Sequence, residues 1–165
     1  MTRAKNPSFR VSFRRRNEGR TNFAKRLALV KSRLPRMVVR RSNKNVTVQF
    51  IEFDPKGDRT LVTVTGKHLA KTFKWPSKRN VWTAYLAGLM AGAAAKKKGV
   101  SDFVLDAGLY TPSKGSLLFA ALKGAADAGL KTSFEPSMVP ESKLSNPPEA
   151  IKAAFGHAKS KIASG

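Results

Sequence analysis

The basic residues of this chain are concentrated at one end, and that asymmetry limits what it can fold into more than any other feature. Residues 1–41 hold 14 Lys and Arg against one acid, Glu18, a net of +13. Residues 42–99 hold 11 against three, a net of +8, and residues 100–165 hold seven against six, a net of +1. Self-repulsion at that density opposes a compact N-terminal part unless a polyanion neutralises it. The remainder is electrostatically ordinary. With 41% hydrophobic residues in 165, there is apolar material for one domain with its own core and an arm outside it.

The total of +22, with a sequence pI near 11.1, points first to nucleic acid as the partner and next to an anionic membrane surface. There are no cysteines, which excludes structural disulfides, thiolate metal sites and cysteine nucleophiles. The longest uncharged apolar stretch, Val81 to Ala95, is shorter than the roughly 18 residues of a membrane-spanning helix. The N-terminus is polar and basic without an apolar core segment, so no signal peptide is expected. A soluble, cytoplasmic, polyanion-binding protein follows as the expectation.

Along the chain, residues 1–20 show no sustained period and are expected to form an extended basic arm that orders on its partner. Thr21 is the expected N-cap of a helix carrying Phe23, Leu27, Val30 and Leu34 at helical spacing, ended by Pro35. Three strands follow: Met37–Arg40, Asn45–Phe53 and Leu61–Thr65, separated by turns at Arg41-Ser42-Asn43-Lys44 and at Asp54–Asp58. They predict an antiparallel meander. Lys67–Lys74 forms a short helix or a turn, and Asn80 caps a long helix to Lys98. Ser101–Asp106 is a short strand with an apolar centre, expected to be buried on both faces. A Gly/Pro/Ser loop leads to a helix over Ser116–Ala128, stopped by Gly129.

The tail contains Pro136, Pro140, Pro147 and Pro148, and a last helix is expected from Pro148 to about Ile162. The fold class is α/β, or α+β, with a mixed sheet: an N-terminal antiparallel meander with packed helices, preceded by the basic arm. The expected organisation is an arm over 1–20, a globular domain over 21–135, and an irregular Pro-containing segment with a C-terminal helix over 136–165.

Enzyme chemistry finds little support. Between a strand and a helix, Gly108–Ser116 lies where a phosphate loop would lie, but Ser113 precedes Lys114 and Gly115 follows it. The nucleotide-binding pattern needs Gly before its Lys and a hydroxyl after it, so both demands fail. What survives is hydroxyls, a Lys and helix N-terminal amides suited to one backbone phosphate. Glu52, Asp54 and Asp58 at a turn, and Asp102 and Asp106 around a strand, are expected to be structural rather than metal ligands. His68 and His157 have no partner at ligand spacing and are expected at the surface. Gly88-Leu89-Met90-Ala91-Gly92 predicts close packing of the long helix on the sheet, with Trp82, Tyr85, Leu86 and Leu89 on its apolar face.

The arm differs from an ordinary solvated charge run. It is Arg-rich, interleaved with Phe9, Phe13 and Phe23, and almost free of acid. Arginine offers a planar fork to phosphate and stacks on bases. Composition alone does not separate RNA from DNA, and a DNA-compacting or other architectural, non-ribosomal nucleic-acid-binding protein stays open at this level. No groove-reading helix or dimer zipper favours it.

The order of motifs adds a resemblance. Phe13-Arg14-Arg15-Arg16-Asn17-Glu18-Gly19-Arg20-Thr21 is followed by Arg26–Val30, Pro35–Lys44 and Phe53-Asp54-Pro55-Lys56-Gly57-Asp58-Arg59-Thr60-Leu61. Then come Ala84–Leu89, Thr111-Pro112-Ser113-Lys114-Gly115-Ser116 and Phe119–Leu130. Over about residues 8 to 140 this series resembles the archaeal and eukaryotic branch of large-subunit ribosomal protein eighteen, the 5S rRNA-binding family. The Ala/Lys-rich end from about Leu144 matches no motif, and a length below that of eukaryotic members points to an archaeal source.

The resemblance implies a fold of the ribonuclease H-like type without that enzyme's active site. It also implies a structural role in the central protuberance of the large subunit, on 5S rRNA and bridging it to large-subunit rRNA. Ribosomal protein five of the large subunit and other central-protuberance proteins are the implied neighbours. Carried over by position, Arg10, Arg14, Arg15, Arg16 and Arg20 of the arm and Arg40, Arg41, Ser42, Asn43 and Lys44 of the hairpin turn would contact RNA. Thr111, Ser113, Lys114 and Ser116 form a second candidate loop. No catalytic residue, metal, cofactor, membrane or small-molecule substrate is expected. Because side chains do not read the deep major groove of A-form RNA, an arm and a turn would track phosphates, 2′-hydroxyls and unpaired bases.

Overall fold

A computed structural model describes residues 6–164 of the chain; residues 1–5 of the expected arm lie outside the described part. The elements run α1 (Arg14–Asn17), α2 (Phe23–Lys31), β1 (Arg36–Arg41), β2 (Val46–Glu52), β3 (Arg59–Thr65), α3 (Gly66–Phe73) and α4 (Val81–Lys97). They continue with β4 (Val104–Asp106), α5 (Leu117–Asp127), α6 (Glu141–Ser145) and α7 (Glu149–Ser164). The four strands form one mixed sheet in the order β3-β2-β1-β4. The expected meander is its antiparallel part, with Val38 opposite Gln49 and Gln49 opposite Thr63. β4 joins β1 in parallel, Met37 opposite Leu105, as a strand reached through a helical crossover does.

Alternation along the strands separates the two faces of the sheet. Met37, Val39, Val46, Val48, Phe50, Val62 and Val64 are buried on one face against α4. That helix is apolar almost all round, with ten of its 17 residues buried, because it meets the sheet on one side and helices on others. Phe50 and Phe103 meet edge to face at 5.4 Å and 76°, a geometry worth about 0.5–1.5 kcal/mol beyond area burial. Asn80 caps α4 as expected, its side chain accepting from the Thr83 amide at 2.6 Å. At the other end Gly99 (φ +84°) turns the chain away, and Lys98 donates its ammonium to the Leu61 carbonyl of β3 at 2.5 Å.

The small-residue stretch packs differently from expectation. Gly88 lies directly under the Ala121 carbonyl of α5, and Gly124 under the Tyr85 carbonyl of α4. The close approach is helix on helix rather than helix on sheet, and a methyl at either glycine would overlap backbone. Tyr85 donates to Asp127 at 2.8 Å across the same pair. Burial pushes its phenol pKa well above the ordinary value, with the Asp127 hydrogen bond and negative charge adding to the shift. α7 closes the third side: Ala158 and Ile162 are buried, and Phe155 lies 5.7 Å from Tyr85.

Four further expectations are corrected. The arm is not extended throughout: Phe13 O accepts from the Arg16 and Asn17 amides, making α1 one helical turn. The cap of α2 is Asn22, whose side chain accepts from Lys25 N at 3.0 Å, while the Thr21 hydroxyl accepts from Arg15 Nε at 2.8 Å. α2 also ends before Pro35, at Lys31. Ser32 Oγ donates to Leu29 O and Arg33 turns to φ +58°, which leaves Leu34 outside the helix. Finally, β4 is shorter than 101–106 and is an edge strand, so Val104 and Leu105 are half-buried. The buried member is Asp106, held by two arginines.

Candidate nucleic-acid interface

The face of the sheet turned away from α4 is built from the other parity of each strand. Arg36, Val38 and Arg40 of β1 stand beside Ile51, Gln49 and Thr47 of β2, with Thr63 and Thr65 beyond on β3. Among the described residues no apolar layer covers the β2–β3 half of it. Thr47 and Gln49 are half-buried, Thr63 is exposed, and Gln49 donates to the Thr63 hydroxyl at 3.2 Å. Sequence reasoning did not single out this face. The alternation of Thr47, Gln49, Thr63 and Thr65 with buried valines was the available signal.

Over the β1–β4 half sit α2, the turn α1 and the loop after β4, enclosing a recess of about 670 Å³ lined by Arg15, Arg20, Arg26, Arg36, Arg40 and Tyr110, among others. Its floor is an ion-pair network. Asp58 accepts from Arg26 at 2.7 Å and from Arg36 at 2.5 Å; Asp106 accepts from Arg36 at 3.1 Å and from Arg40 at 3.0 Å. Three arginines against two aspartates leave this network at +1. Arg36 is only 3% exposed, so its charge is tolerable only with both carboxylates in place. The same Asp106 accepts from the Gly108 amide at 2.8 Å, tying the post-β4 loop to the network. Arg36 Nε and Asp58 Oδ1 are the network's buried atoms left without a hydrogen-bond partner.

The structure draws the expected RNA-facing residues together unequally. Arg10 and Arg16 are exposed, Arg14 lies 3.8 Å from Glu18, and Arg20 pairs with Glu18 at 3.0 Å. Arg15 and Arg20 reach the recess. Arg40 already donates to Val39 O, Asp106 O and Asp106 Oδ1 at 2.9, 2.7 and 3.0 Å, although 41% of its side chain stays exposed. Ser42 is spent on the turn itself, accepting from Asn45 N at 3.0 Å. Arg41, Asn43 and Lys44 are exposed around it. Two braces hold that turn: Arg79 donates to Asn43 O at 3.1 Å, and Tyr110 donates to Arg41 O at 2.6 Å with the Arg41 guanidinium 5.0 Å over its ring.

Tyr110 therefore sets the 107–116 loop against the hairpin turn, a link that sequence spacing does not reveal. Thr111, Ser113 and Lys114 are exposed on that loop. Ser116 is different: its hydroxyl is buried without a partner and does not cap α5. His68 and His157 are exposed on helices α3 and α7. Among the described residues no three His, Asp or Glu side chains gather to hold a metal ion, and no helix is long and apolar enough to cross a membrane.

Comparison with known proteins identifies the family of the chain. Residues 7–102 match the family model for the ribosomal large subunit proteins 60S L5 and 50S L18. The chain is 46% identical over 139 residues to large ribosomal subunit protein uL18 of Korarchaeum cryptofilum, covering 84% of this chain and 71% of the relative. It is 46% identical over 138 residues to the same protein of Methanothrix thermoacetophila, covering 84% and 82%. For the protein of Aeropyrum pernix the identity is 47% over 135 residues, covering 81% and 63%. The chain belongs to the family of ribosomal large subunit proteins 60S L5 and 50S L18, in its archaeal type, a family of structural rather than enzymatic proteins.

Proposed function

We propose that this large-subunit ribosomal protein binds 5S rRNA and helps attach it to large-subunit rRNA in the central protuberance, next to ribosomal protein five of the large subunit. The observation that carries the reading is the division of the molecule into two sides. An apolar helical layer closes one face of the sheet, while the arm, α2, the braced hairpin turn and the 107–116 loop gather over or beside the other. Most of the +22 lies on these N-terminal elements. Arg10, Arg16, Arg41 and Lys44 would contact RNA directly, with Arg14, Arg15 and Arg20 exchanging intramolecular partners for phosphate. Thr111, Ser113 and Lys114 would extend the contact, and Arg40 and Ser42 would shape it.

In such an interface, affinity is largely electrostatic. It falls by about 0.7–0.9 log units per log unit of salt for each phosphate neutralised. Titration of 5S rRNA against duplexes of unrelated sequence in moderate salt tests the reading. Tighter binding to 5S rRNA with a steep salt slope is expected, and equal affinity for every polyanion would overturn the 5S assignment. The arm over residues 1–20 is proposed as a separable binding unit. Its removal should flatten the salt slope and leave the 21–164 part folded by circular dichroism.

A further inference from the structure

Helix α2 half-buries Leu29 and Val30 but leaves two of its large apolar residues exposed. None of its nine residues is buried, and Phe23 and Leu27, one turn apart, are 36% and 57% exposed. Phe13, 79% exposed, stands against Phe23 with ring centroids 6.2 Å apart and planes tilted by 48°. The Phe13 backbone is fixed where the ring leaves it, because its carbonyl accepts from the Arg16 and Asn17 amides at 2.9 Å each. A ring left 79% exposed, as Phe13 is, buries little apolar area for the fold.

Its surroundings decide what covers it. Between residues 6 and 31 the basic side chains are Arg10, Arg14, Arg15, Arg16, Arg20, Lys25, Arg26 and Lys31, with Glu18 the single acid. A neutral or basic protein surface does not complement that ring of charge; a phosphodiester chain does. A paired duplex, however, hides the faces of its bases and offers phenyl rings nothing to stack on. Unpaired nucleotides supply both parts, a base face for the ring and a phosphate for the neighbouring guanidinium.

We propose that Phe13 and Phe23 form a stacking platform for unpaired RNA bases, with Leu27 extending its apolar floor and Arg14 and Arg16 holding the flanking phosphates. The tilt means the two rings do not share one base: Phe13 stacks flat on a base and Phe23 backs it at an angle. This inference rests on the RNA-binding reading above and adds the kind of nucleotide recognised. It also separates two contributions to binding. The arginines supply the salt-dependent part, and the rings supply a part that salt does not screen.

The test uses the full chain and two RNAs of equal charge, a hairpin whose unpaired loop carries 2-aminopurine and a blunt duplex. Wild type should favour the hairpin and quench the 2-aminopurine. Replacing Phe13 and Phe23 with Leu, which keeps apolar bulk, should weaken hairpin binding by roughly 5- to 150-fold. Quenching should vanish, with the salt slope and duplex affinity unchanged. Arg14→Gln with Arg16→Gln should instead lower the slope for both RNAs. Should the Leu pair bind the hairpin as wild type does, or lose hairpin and duplex affinity equally, the platform is overturned while RNA binding stands. Retained RNA affinity with lost binding of an acidic peptide would assign the patch to a protein. Failure of wild type to bind either RNA would overturn the underlying reading itself.

Discussion

Helices α2 and α4 both carry apolar side chains at helical spacing, and the fold treats them oppositely. α4 is enclosed by the sheet, α5 and α7, and Leu86 is fully buried within it. α2 lies across the polar face of the sheet, tied through the ion pair of Arg26 with Asp58, and exposes Phe23 and Leu27. Apolar periodicity is therefore evidence for a helix but not for what covers it. The difference lies in the neighbours that charge permits. A helix within eight basic residues and one acid meets mutual repulsion on packing inward, whereas it gains from packing against a polyanion.

The same substitution in the two helices is the sharpest way to break this contrast. Leu86→Ala should cost about 3–4 kcal/mol of unfolding free energy, transfer and cavity terms together, read as a lower urea midpoint. A loss below about 1 kcal/mol would mean α4 is not the centre of the core. Gly88→Ala forces a methyl against the Ala121 carbonyl and should cost about 2 kcal/mol. A neutral outcome would show that α4 and α5 slide apart freely.

Tyr85 adds a pH test on the same helix pair. Its folded pKa is raised, so the neutral phenol's contribution is complete below the unfolded value of about 10 and lost as pH rises beyond it. Stability measured from about pH 9 to 11 should fall more steeply in wild type than in Tyr85→Phe. Parallel curves would mean that the phenol is not held neutral by the fold. The smallest effect is on the other side of the comparison. Leu27→Ala should change stability by less than about 0.5 kcal/mol while weakening RNA binding. A loss matching that of Leu86→Ala would show that α2 is core after all.

Much of the scaffold was legible from residue pattern. The alternation in Val46-Thr47-Val48-Gln49-Phe50 specified both strand and buried face, since side chains in a strand alternate by geometry. Asn80 specified the start of α4, since its side chain accepts an otherwise orphaned amide. Local rules failed where two short-range options competed. Thr21 and Asn22 are both good caps, and the choice fell to Asn22 because Arg15 engages the Thr21 hydroxyl. Likewise, the stop of α2 was set by Ser32 and Arg33 rather than by Pro35.

The candidate interface was legible as a list of basic residues but not as a surface. Arg40 and Arg41 are adjacent in sequence, yet strand alternation sends Arg40 to Asp106 and leaves Arg41 to Tyr110. Asp58 and Asp106 read as turn and strand-end acids; their pairing with Arg26, Arg36 and Arg40 joins segments up to 70 residues apart.

By itself the sequence determined the class of partner, the mixed sheet with its meander, and the end of the chain on which the positive charge is concentrated. These follow from net charge, from period-two alternation and from capping chemistry, all of which act between residues close in the chain. Only the tertiary structure decided which arginines pair within the fold and which do not, that Gly88 and Gly124 join two helices, and that Phe13 and Phe23 stand together at the surface. Such facts depend on contacts between distant segments, and those contacts exist only once burial of the valine face has paid the entropy of bringing the segments together.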